Sequence, residues 1–152
     1  TPANIAKCFE RTVAHYRPIT MVLFLDDTDG QQHAEATFNA LDEIDDLRAY
    51  WRVSPSFMVV PPAITPALKS QAKALRDFED SLASWMKNKA GITMLDINTL
   101  LATNSGDINP LLFWPDGRTL GKKGCKRLQG ALLGYAGVKS PTTDVTLDGL
   151  SS

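Results

Sequence analysis

The sequence lacks the features that mark several specialised classes of protein. No apolar run approaches the roughly eighteen residues that a membrane-spanning helix needs, and no charged-then-apolar signal segment opens the chain. Lys and Arg number 16 against 17 Asp and Glu, so the formal net charge of -1 gives no global field that would attract nucleic acid or an anionic membrane. Any such partner needs a local patch.

Cysteine and histidine are also scarce. Cys8 and Cys125 lack CxxC or Cys/His spacing, which argues against a structural zinc site and predicts buried thiols in a reducing, cytoplasmic compartment. A disulfide between the two is the alternative. His15 and His33 are the only imidazoles, and we expect both to be surface or capping residues. Neither a metal ion nor a cofactor is therefore expected.

The rest of the composition is that of one compact domain. A hydrophobic content of 43% in 152 residues is enough to build a core. Residues 1–137 are expected to form a single α/β domain without internal repeats. The Ser/Thr/Pro-rich segment 138–152 has no periodicity and is expected to be a flexible tail.

Apolar patterning predicts helices that alternate with parallel strands. Short apolar runs, typical of strands buried on both faces, lie at 19–25, 57–60 and 92–97. Stripes with helical spacing lie at 5–16, 34–51, 68–85 and 120–135. Thr65 is predicted to cap the third helix, with Pro66 at its first position. The order predicts a three-layer α/β/α sandwich with a mainly parallel sheet, in which Trp51, Trp85 and Trp114 pack in the core.

Polar residues collect where the predicted strands end, and ligand sites of parallel sheets form at that edge. The matching stretches, taken in order, are similar to the conserved blocks of the SGNH (GDSL-type) hydrolases over roughly residues 18–134. They are Leu25-Asp26-Asp27-Thr28-Asp29, Met58-Val59-Val60-Pro61-Pro62, Leu95-Asp96-Ile97, and Asp116-Gly117-Arg118-Thr119-Leu120 with Gly124 following. The resemblance implies an SGNH-hydrolase-like, that is flavodoxin-like, sandwich.

The same resemblance implies roles for single positions. Asp116 stands where the family has the acid that orients its histidine base, and Thr119 stands in place of that histidine. Thr28 replaces the asparagine of the oxyanion hole, and Asp26 replaces its glycine donor. A threonine hydroxyl cannot act as a general base near neutral pH, and a carboxylate beside an oxyanion opposes catalysis. Asp116 is therefore the one triad position that keeps its residue.

The family's serine-bearing first strand has no counterpart in this sequence, so the first strands of the fold are predicted to be missing. We therefore predict a non-catalytic binding or assembly module. The sheet would expose an unpaired edge, which predicts a protein partner or self-association along that edge. The alternative is a serine ester hydrolase whose nucleophile block lies upstream of this chain.

Other hypotheses start from the same turns. Asp27 and Asp29, in an Asp-x-Asp-Gly sequence after a strand, resemble the first motif of haloacid-dehalogenase-like phosphatases, although such acids also cap helices. His33 is a candidate substitute base, which with Ser105 and Asp116 would form a displaced triad.

The final helix and the loop before it carry the one local basic cluster of the sequence. Its members are Arg118, Lys122, Lys123, Lys126 and Arg127. A solvated helix face is one interpretation of this cluster. Contact with a phosphate or a nucleic-acid backbone is the other, because each cation can displace counterions from a polyanion.

Overall fold

The computed structural model describes residues 1–15, 20–51 and 56–135. In chain order its elements are α1 (Pro2–Lys7), a π-helical turn (Glu10–Ala14), β1 (Thr20–Phe24), α2 (Asp27–Gln31), α3 (Ala34–Tyr50), β2 (Ser56–Val60), a 3-10 helix (Pro66–Gln71), α4 (Ala72–Met86), β3 (Ile92–Met94), α5 (Ile97–Leu100), a 3-10 turn (Pro110–Leu112) and α6 (Lys122–Tyr135). The predicted tail, 138–152, lies outside the described residues. No helix in the described ranges has the length and apolarity required to cross a bilayer.

The three strands form one parallel sheet with β2 in the middle. Val22 of β1 lies beside Met58 of β2, and Val59 lies beside Met94 of β3. All the residues of β2 from Phe57 to Val60 are buried, as expected for the central strand of a parallel sheet. The predicted α/β class and parallel sheet are confirmed.

The chain divides into two compact units. The first comprises Thr1–Ala63 and Lys73–Leu95, and therefore holds the whole sheet. The second comprises Ile64–Ala72 and the chain from Asp96 onward. The single domain expected over 1–137 stays a prediction.

The core of the first unit forms where the helices meet the sheet. Leu41 and Ile44 of α3, Leu82 of α4, and Phe57 and Val59 of β2 are completely buried in one cluster. Leu82 is buried because the apolar side chains of α4 recur three or four positions apart, and side chains with that spacing share one face of a helix. Burying each such side chain stabilises the fold by about 1.5–3 kcal/mol.

A polar contact joins α3 to α4 beside this core. The indole Nε1 of Trp85 donates to Asp42 Oδ1 at 2.8 Å, and Lys89 Nζ lies 4.7 Å from the centre of the Trp85 ring. Lys89 also lies 3.6 Å from Asp42 Oδ1. Trp85 is partly buried against the core, so its predicted packing is confirmed.

One glycine of α6, in the second unit, is packed closely against the backbone of another segment. Gly124 is buried, and a Cβ atom added there would lie 2.5 Å from the carbonyl oxygen of Leu112. That carbonyl accepts from the backbone N–H of Gly121 at 2.8 Å. The helix begins at Lys122 and not at Leu120 as predicted, because Leu120 forms an antiparallel bridge with Phe113.

Several side chains are placed differently from the prediction. Trp51 and Trp114 are exposed. Trp51 follows the last residue of α3, and Trp114 begins a surface turn in which its N–H donates to Thr119 O. Cys8 and Cys125, predicted to be buried, are both exposed and are not joined in a disulfide in the described part of the chain.

Thr65 lies at the start of the helix as predicted, followed by Pro66 at the first helical position, but it does not act as a side-chain cap. Its side chain makes no cap hydrogen bond, and its buried hydroxyl has no partner among the described residues. The two N–H groups that it would cap are already used, because Ala67 N donates to Gly117 O at 3.0 Å and Leu68 N donates to Thr65 O at 2.9 Å.

Candidate functional site

The turn after β1 is held by a reciprocal pair of aspartates. Asp26 Oδ1 accepts from Asp29 N at 2.9 Å and from Thr28 Oγ1 at 2.6 Å. Asp29 Oδ2 in return accepts from Asp26 N at 3.0 Å. This is a capping box, which satisfies N–H groups at the start of α2 that have no partner within the helix. Thr28, which the sequence predicts at the position of the family's asparagine, therefore donates a hydrogen bond from its hydroxyl to a neighbouring carboxylate.

The hydroxyl of Thr28 is the main reason that the pKa of Asp26 lies below its ordinary value, and the backbone N–H of Asp29 lowers it further. Hydrogen bonds to the charged form of a carboxyl group favour that form. Asp26 is therefore ionised at neutral pH. It brings negative charge to the position where the resemblance implies an oxyanion donor.

The same turn gives Asp29 and Gly30 structural roles. Asp29 is buried and its carboxylate holds its own turn, so it is not aimed outward as an acid/base would be. Gly30 is packed tightly, since a Cβ atom there would lie 3.1 Å from Phe78 Cδ1. Within the described ranges, no three His, Cys, Asp or Glu side chains are grouped so that they could hold a metal ion. Capping therefore explains Asp29, and close packing explains Gly30.

A second aspartate turn lies before α6. Asp116 Oδ1 accepts from the N–H groups of Arg118 and Thr119, both at 2.9 Å. Asp116 Oδ2 accepts from Thr119 Oγ1 at 2.7 Å. The pKa of Asp116 is lowered mainly by the Thr119 N–H and next by the Arg118 N–H. Thr119, which the sequence predicts at the histidine position, thus donates a hydrogen bond to Asp116, and both carboxylate oxygens accept hydrogen bonds within their own turn.

Gly117 allows this turn to form. Its φ of +67° is in the left-handed region, which favours glycine. A Cβ atom there would also lie 3.2 Å from the backbone nitrogen of Ala67. The Asp-Gly sequence is therefore required by backbone geometry and close packing.

A third turn of the same kind was missed by the reasoning from sequence. Asp96 Oδ1 accepts from Thr99 N at 3.1 Å, and Asp96 Oδ2 accepts from Thr99 Oγ1 at 2.7 Å. Asp96 and Asp116 both stand three residues before a threonine, so the shared Asp-x-x-Thr spacing was the signal that could have found this turn. Asn98, within the Asp96 turn, accepts from Ile64 N at 2.8 Å through its Oδ1.

The residues of the predicted displaced triad occupy different surroundings. His33 is exposed and belongs to the first unit, where it precedes α3 without a side-chain cap bond. Ser105 belongs to the second unit, as does Asp116. The Ser105 hydroxyl is 2.8 Å from Thr103 Oγ1. The triad stays a prediction.

The basic cluster is divided between exposed and structural side chains. Arg118, Lys122 and Lys123 are exposed. Arg127 is half-buried, and its Nη1 donates to Leu100 O at 3.3 Å, where it caps the end of α5. The part of the cluster that faces solvent therefore centres on the loop and the first turn of α6.

Comparisons with known proteins place the fold. No protein-family model matches the chain, and no curated protein matches it. A solved structure, of a protein assigned to the G-D-S-L family of lipolytic proteins from Desulfitobacterium hafniense DCB-2, superposes with a TM-score of 0.68. The match has 16% sequence identity and covers 89% of this chain and 74% of that chain. The predicted α/β sandwich is thus confirmed, and the chain has the SGNH (GDSL-type) hydrolase fold.

Proposed function

We propose that this chain is a non-catalytic module of SGNH-type fold that works in binding or assembly. The observation that carries the proposal is the Asp116 turn. A triad aspartate orients an imidazole through one hydrogen bond, whereas this carboxylate accepts from the hydroxyl and N–H of Thr119 and from Arg118 N.

Proton transfer is the step that this turn cannot support. Thr119 Oγ1 donates a hydrogen bond to Asp116 Oδ2, and a threonine hydroxyl has no affinity for a second proton near neutral pH. The ionised Asp26 adds an unfavourable charge to the position that would stabilise an oxyanion. Both features argue against acyl transfer for separate physical reasons.

The test is hydrolysis of short-chain p-nitrophenyl esters by the purified chain. We expect no turnover above buffer. Asp116→Ala and Asp96→Ala form a matched pair, because both aspartates hold an Asp-x-x-Thr turn and only Asp116 is at the triad position. Turnover that Asp116→Ala abolishes and Asp96→Ala preserves would refute the proposal and favour a serine ester hydrolase.

A phosphatase assay tests the other enzyme class. We expect no hydrolysis of p-nitrophenyl phosphate with Mg²⁺, because Asp29 is used to close its own turn. Activity lost in Asp27→Asn would support the haloacid-dehalogenase-like alternative and contradict a non-catalytic role.

The assembly surface of the proposal is the outer edge of β1. In the described chain, β1 pairs only with β2, so one side of it has no neighbouring strand. Uncovered strand edges attract other strands, which supports pairing with another chain there.

The basic cluster supports a second candidate, contact with nucleic acid. Residues 117–135 carry five Lys or Arg and no Asp or Glu. Trp114 is 58% exposed and lies in the turn before α6, where its backbone N–H donates to Thr119 O at 2.8 Å. Cations and exposed aromatic rings are the groups that bind single-stranded nucleic acids, the former through phosphates and the latter through base stacking.

Salt-dependent binding of a single-stranded RNA oligonucleotide tests this candidate. Lys122→Ala with Lys123→Ala should lower both the affinity and its dependence on salt, by about 0.7 in the logarithmic slope for each phosphate that is no longer neutralised. The control is Lys69→Ala with Lys87→Ala, which removes two exposed lysines from other elements. Equal affinity for all three proteins would reject the candidate.

A further inference from the structure

Two large apolar side chains are exposed on the segment that precedes α6. Leu111 is 79% exposed and Trp114 is 58% exposed. They are separated by Leu112 and Phe113, which are both buried. Apolar side chains that are exposed singly are ordinary in folded proteins, whereas exposed ones that lie together are a feature of surfaces that bind proteins or membranes.

Hydrogen bonds fix the backbone of this segment. Leu111 N donates to Asn109 Oδ1 at 3.1 Å. Trp114 N donates to Thr119 O at 2.8 Å, and Trp114 O accepts from Gly117 N at 2.9 Å. The two exposed side chains are therefore attached to a backbone that is already arranged, which lowers the entropy that binding costs.

Exposed cations lie beside the same segment. Leu112 O accepts from Gly121 N at 2.8 Å, so the segment passes next to the residue that precedes α6. Lys122 and Lys123 are the first two residues of α6, and both are exposed, as is Arg118. The apolar and the basic side chains therefore lie close together on the surface of the second unit.

Positive charge is concentrated in this part of the chain. Residues 110–135 carry five Lys or Arg and one Asp, which gives a net charge of +4, whereas the whole chain has a net charge of -1, so that the remaining residues sum to -5. The carboxylate of the one acid, Asp116, accepts three hydrogen bonds within its own turn. A negatively charged surface is therefore attracted to this part of the molecule and repelled by the rest.

Resting on the binding role proposed above, we propose that this surface binds a lipid bilayer that contains anionic phospholipid. Leu111 and Trp114 enter the boundary between the headgroups and the acyl chains. The neighbouring Arg118, Lys122 and Lys123 contact the lipid phosphates, since clustered cations are attracted to an anionic leaflet. Tryptophan suits this boundary because its ring is apolar and its indole N–H can bond to polar headgroups.

Leu111 favours a bilayer over nucleic acid as the partner. The cations and the Trp114 ring suit either partner. An aliphatic side chain has no π-face on which a base could stack, whereas its burial among acyl chains is favourable. A bilayer therefore accounts for the exposure of all five side chains, and nucleic acid accounts for only four.

Co-sedimentation of the full 152-residue chain with vesicles tests the proposal. We expect binding to vesicles of equal parts phosphatidylcholine and phosphatidylserine, and none to vesicles of phosphatidylcholine alone. Lys122→Ala with Lys123→Ala should weaken binding about thirtyfold, because each cation near an anionic surface contributes about fivefold. The control, Lys69→Ala with Lys87→Ala, removes two exposed lysines from other elements and should leave vesicle binding unchanged.

Substitutions at the apolar side chains separate a bilayer from nucleic acid. Leu111→Ser should weaken vesicle binding about tenfold, because the burial of a leucine side chain is lost, and should leave the binding of single-stranded RNA unchanged. Tyr50→Ser is its control, because it replaces a side chain of the first unit that is 76% exposed, and it should leave vesicle binding unchanged. Tryptophan emission should shift to shorter wavelength on anionic vesicles, and Trp114→Phe should abolish that shift. Far-UV circular dichroism equal to that of the parent chain shows that each variant is folded.

Three results would overturn the proposal: no binding to anionic vesicles, equal binding to neutral vesicles, or equal binding by Leu111→Ser and the parent chain. RNA binding without vesicle binding would also overturn it and would leave the nucleic-acid candidate in its place. The ester assay reports independently on the Asp116 turn, so failure of lipid binding and failure of the non-catalytic role give different results.

Discussion

Replacing Gly124 with alanine should destabilise the protein, although alanine is the better helix former. The new methyl carbon would lie 2.5 Å from Leu112 O and 2.5 Å from Leu120 Cδ2, distances at which the neighbours must move. Leu112 O belongs to the backbone and already accepts from Gly121 N at 2.8 Å, so it cannot move without lengthening that bond. Overpacking of this kind costs about 1–3 kcal/mol.

Two further effects change the overpacking cost of Gly124→Ala in opposite directions. Weakening the Gly121 bond adds up to about 1 kcal/mol. The gain in helix propensity from Gly to Ala returns about 1 kcal/mol. We therefore expect Gly124→Ala to lower the free energy of unfolding by about 1–3 kcal/mol.

Gly130 provides the matched control in the same helix. A Cβ atom at Gly130 would meet nothing within 4 Å. Only the propensity term applies, so Gly130→Ala should raise the free energy of unfolding by about 1 kcal/mol.

Urea unfolding followed by far-UV circular dichroism measures both variants, and amide hydrogen exchange in α6 localises the effect. A Gly124→Ala variant as stable as Gly130→Ala would refute the packing argument. An m-value that changes with the substitution would mean that the states being compared differ, and the midpoints would then not report stability alone.

Three further predictions concern single hydrogen bonds. Thr119→Val should raise the pKa of Asp116 toward its ordinary value, because it removes the hydroxyl donor, and NMR titration measures this. Since the folded-state pKa of Asp26 is lowered, its contribution to stability is full above about pH 4, the ordinary value for aspartate, and is lost as pH falls through the folded pKa. The stability difference between the parent and Asp26→Asn should therefore shrink below that pH, and a constant difference in urea titrations would contradict the assignment. Trp85→Phe loses the 2.8 Å bond to Asp42 and should cost about 1 kcal/mol in thermal unfolding, whereas Tyr50→Phe, at an exposed site, should cost almost nothing.

Local patterns were sufficient to locate the strands and most of the helices, although the strand predicted at 92–97 ends at Met94 and Ile97 begins α5. The apolar run at 57–60 can be stable only where both faces are covered, and Pro61 cannot continue the ladder, so β2 follows from these residues alone. The stripe of α4 likewise allows one amphipathic helix. The π-helical turn Glu10–Ala14 and the short α2 were not predicted, because a few residues carry too little periodicity to distinguish them from a longer helix or a turn.

The sequence singled out residues of the candidate site, but it did not predict the contacts that those residues make. Asp116 and Thr119 were expected at two triad positions, but their mutual hydrogen bond depends on the left-handed Gly117 and on its packing against Ala67. The Asp96 turn was not singled out, although it shares its Asp-x-x-Thr spacing with the Asp116 turn.

Hydrophobicity and spacing along the chain were enough for the α/β class and the parallel strands, because those properties belong to individual segments. Three features depended on which distant segments meet: the exposure of Trp114, the Thr65 hydroxyl that has no hydrogen-bond partner among the described residues, and the close packing at Gly124. A side chain's environment is set by neighbours far along the chain, and an apolar or polar residue has the same local pattern whether those neighbours cover it or not. The three-dimensional fold alone decided these contacts.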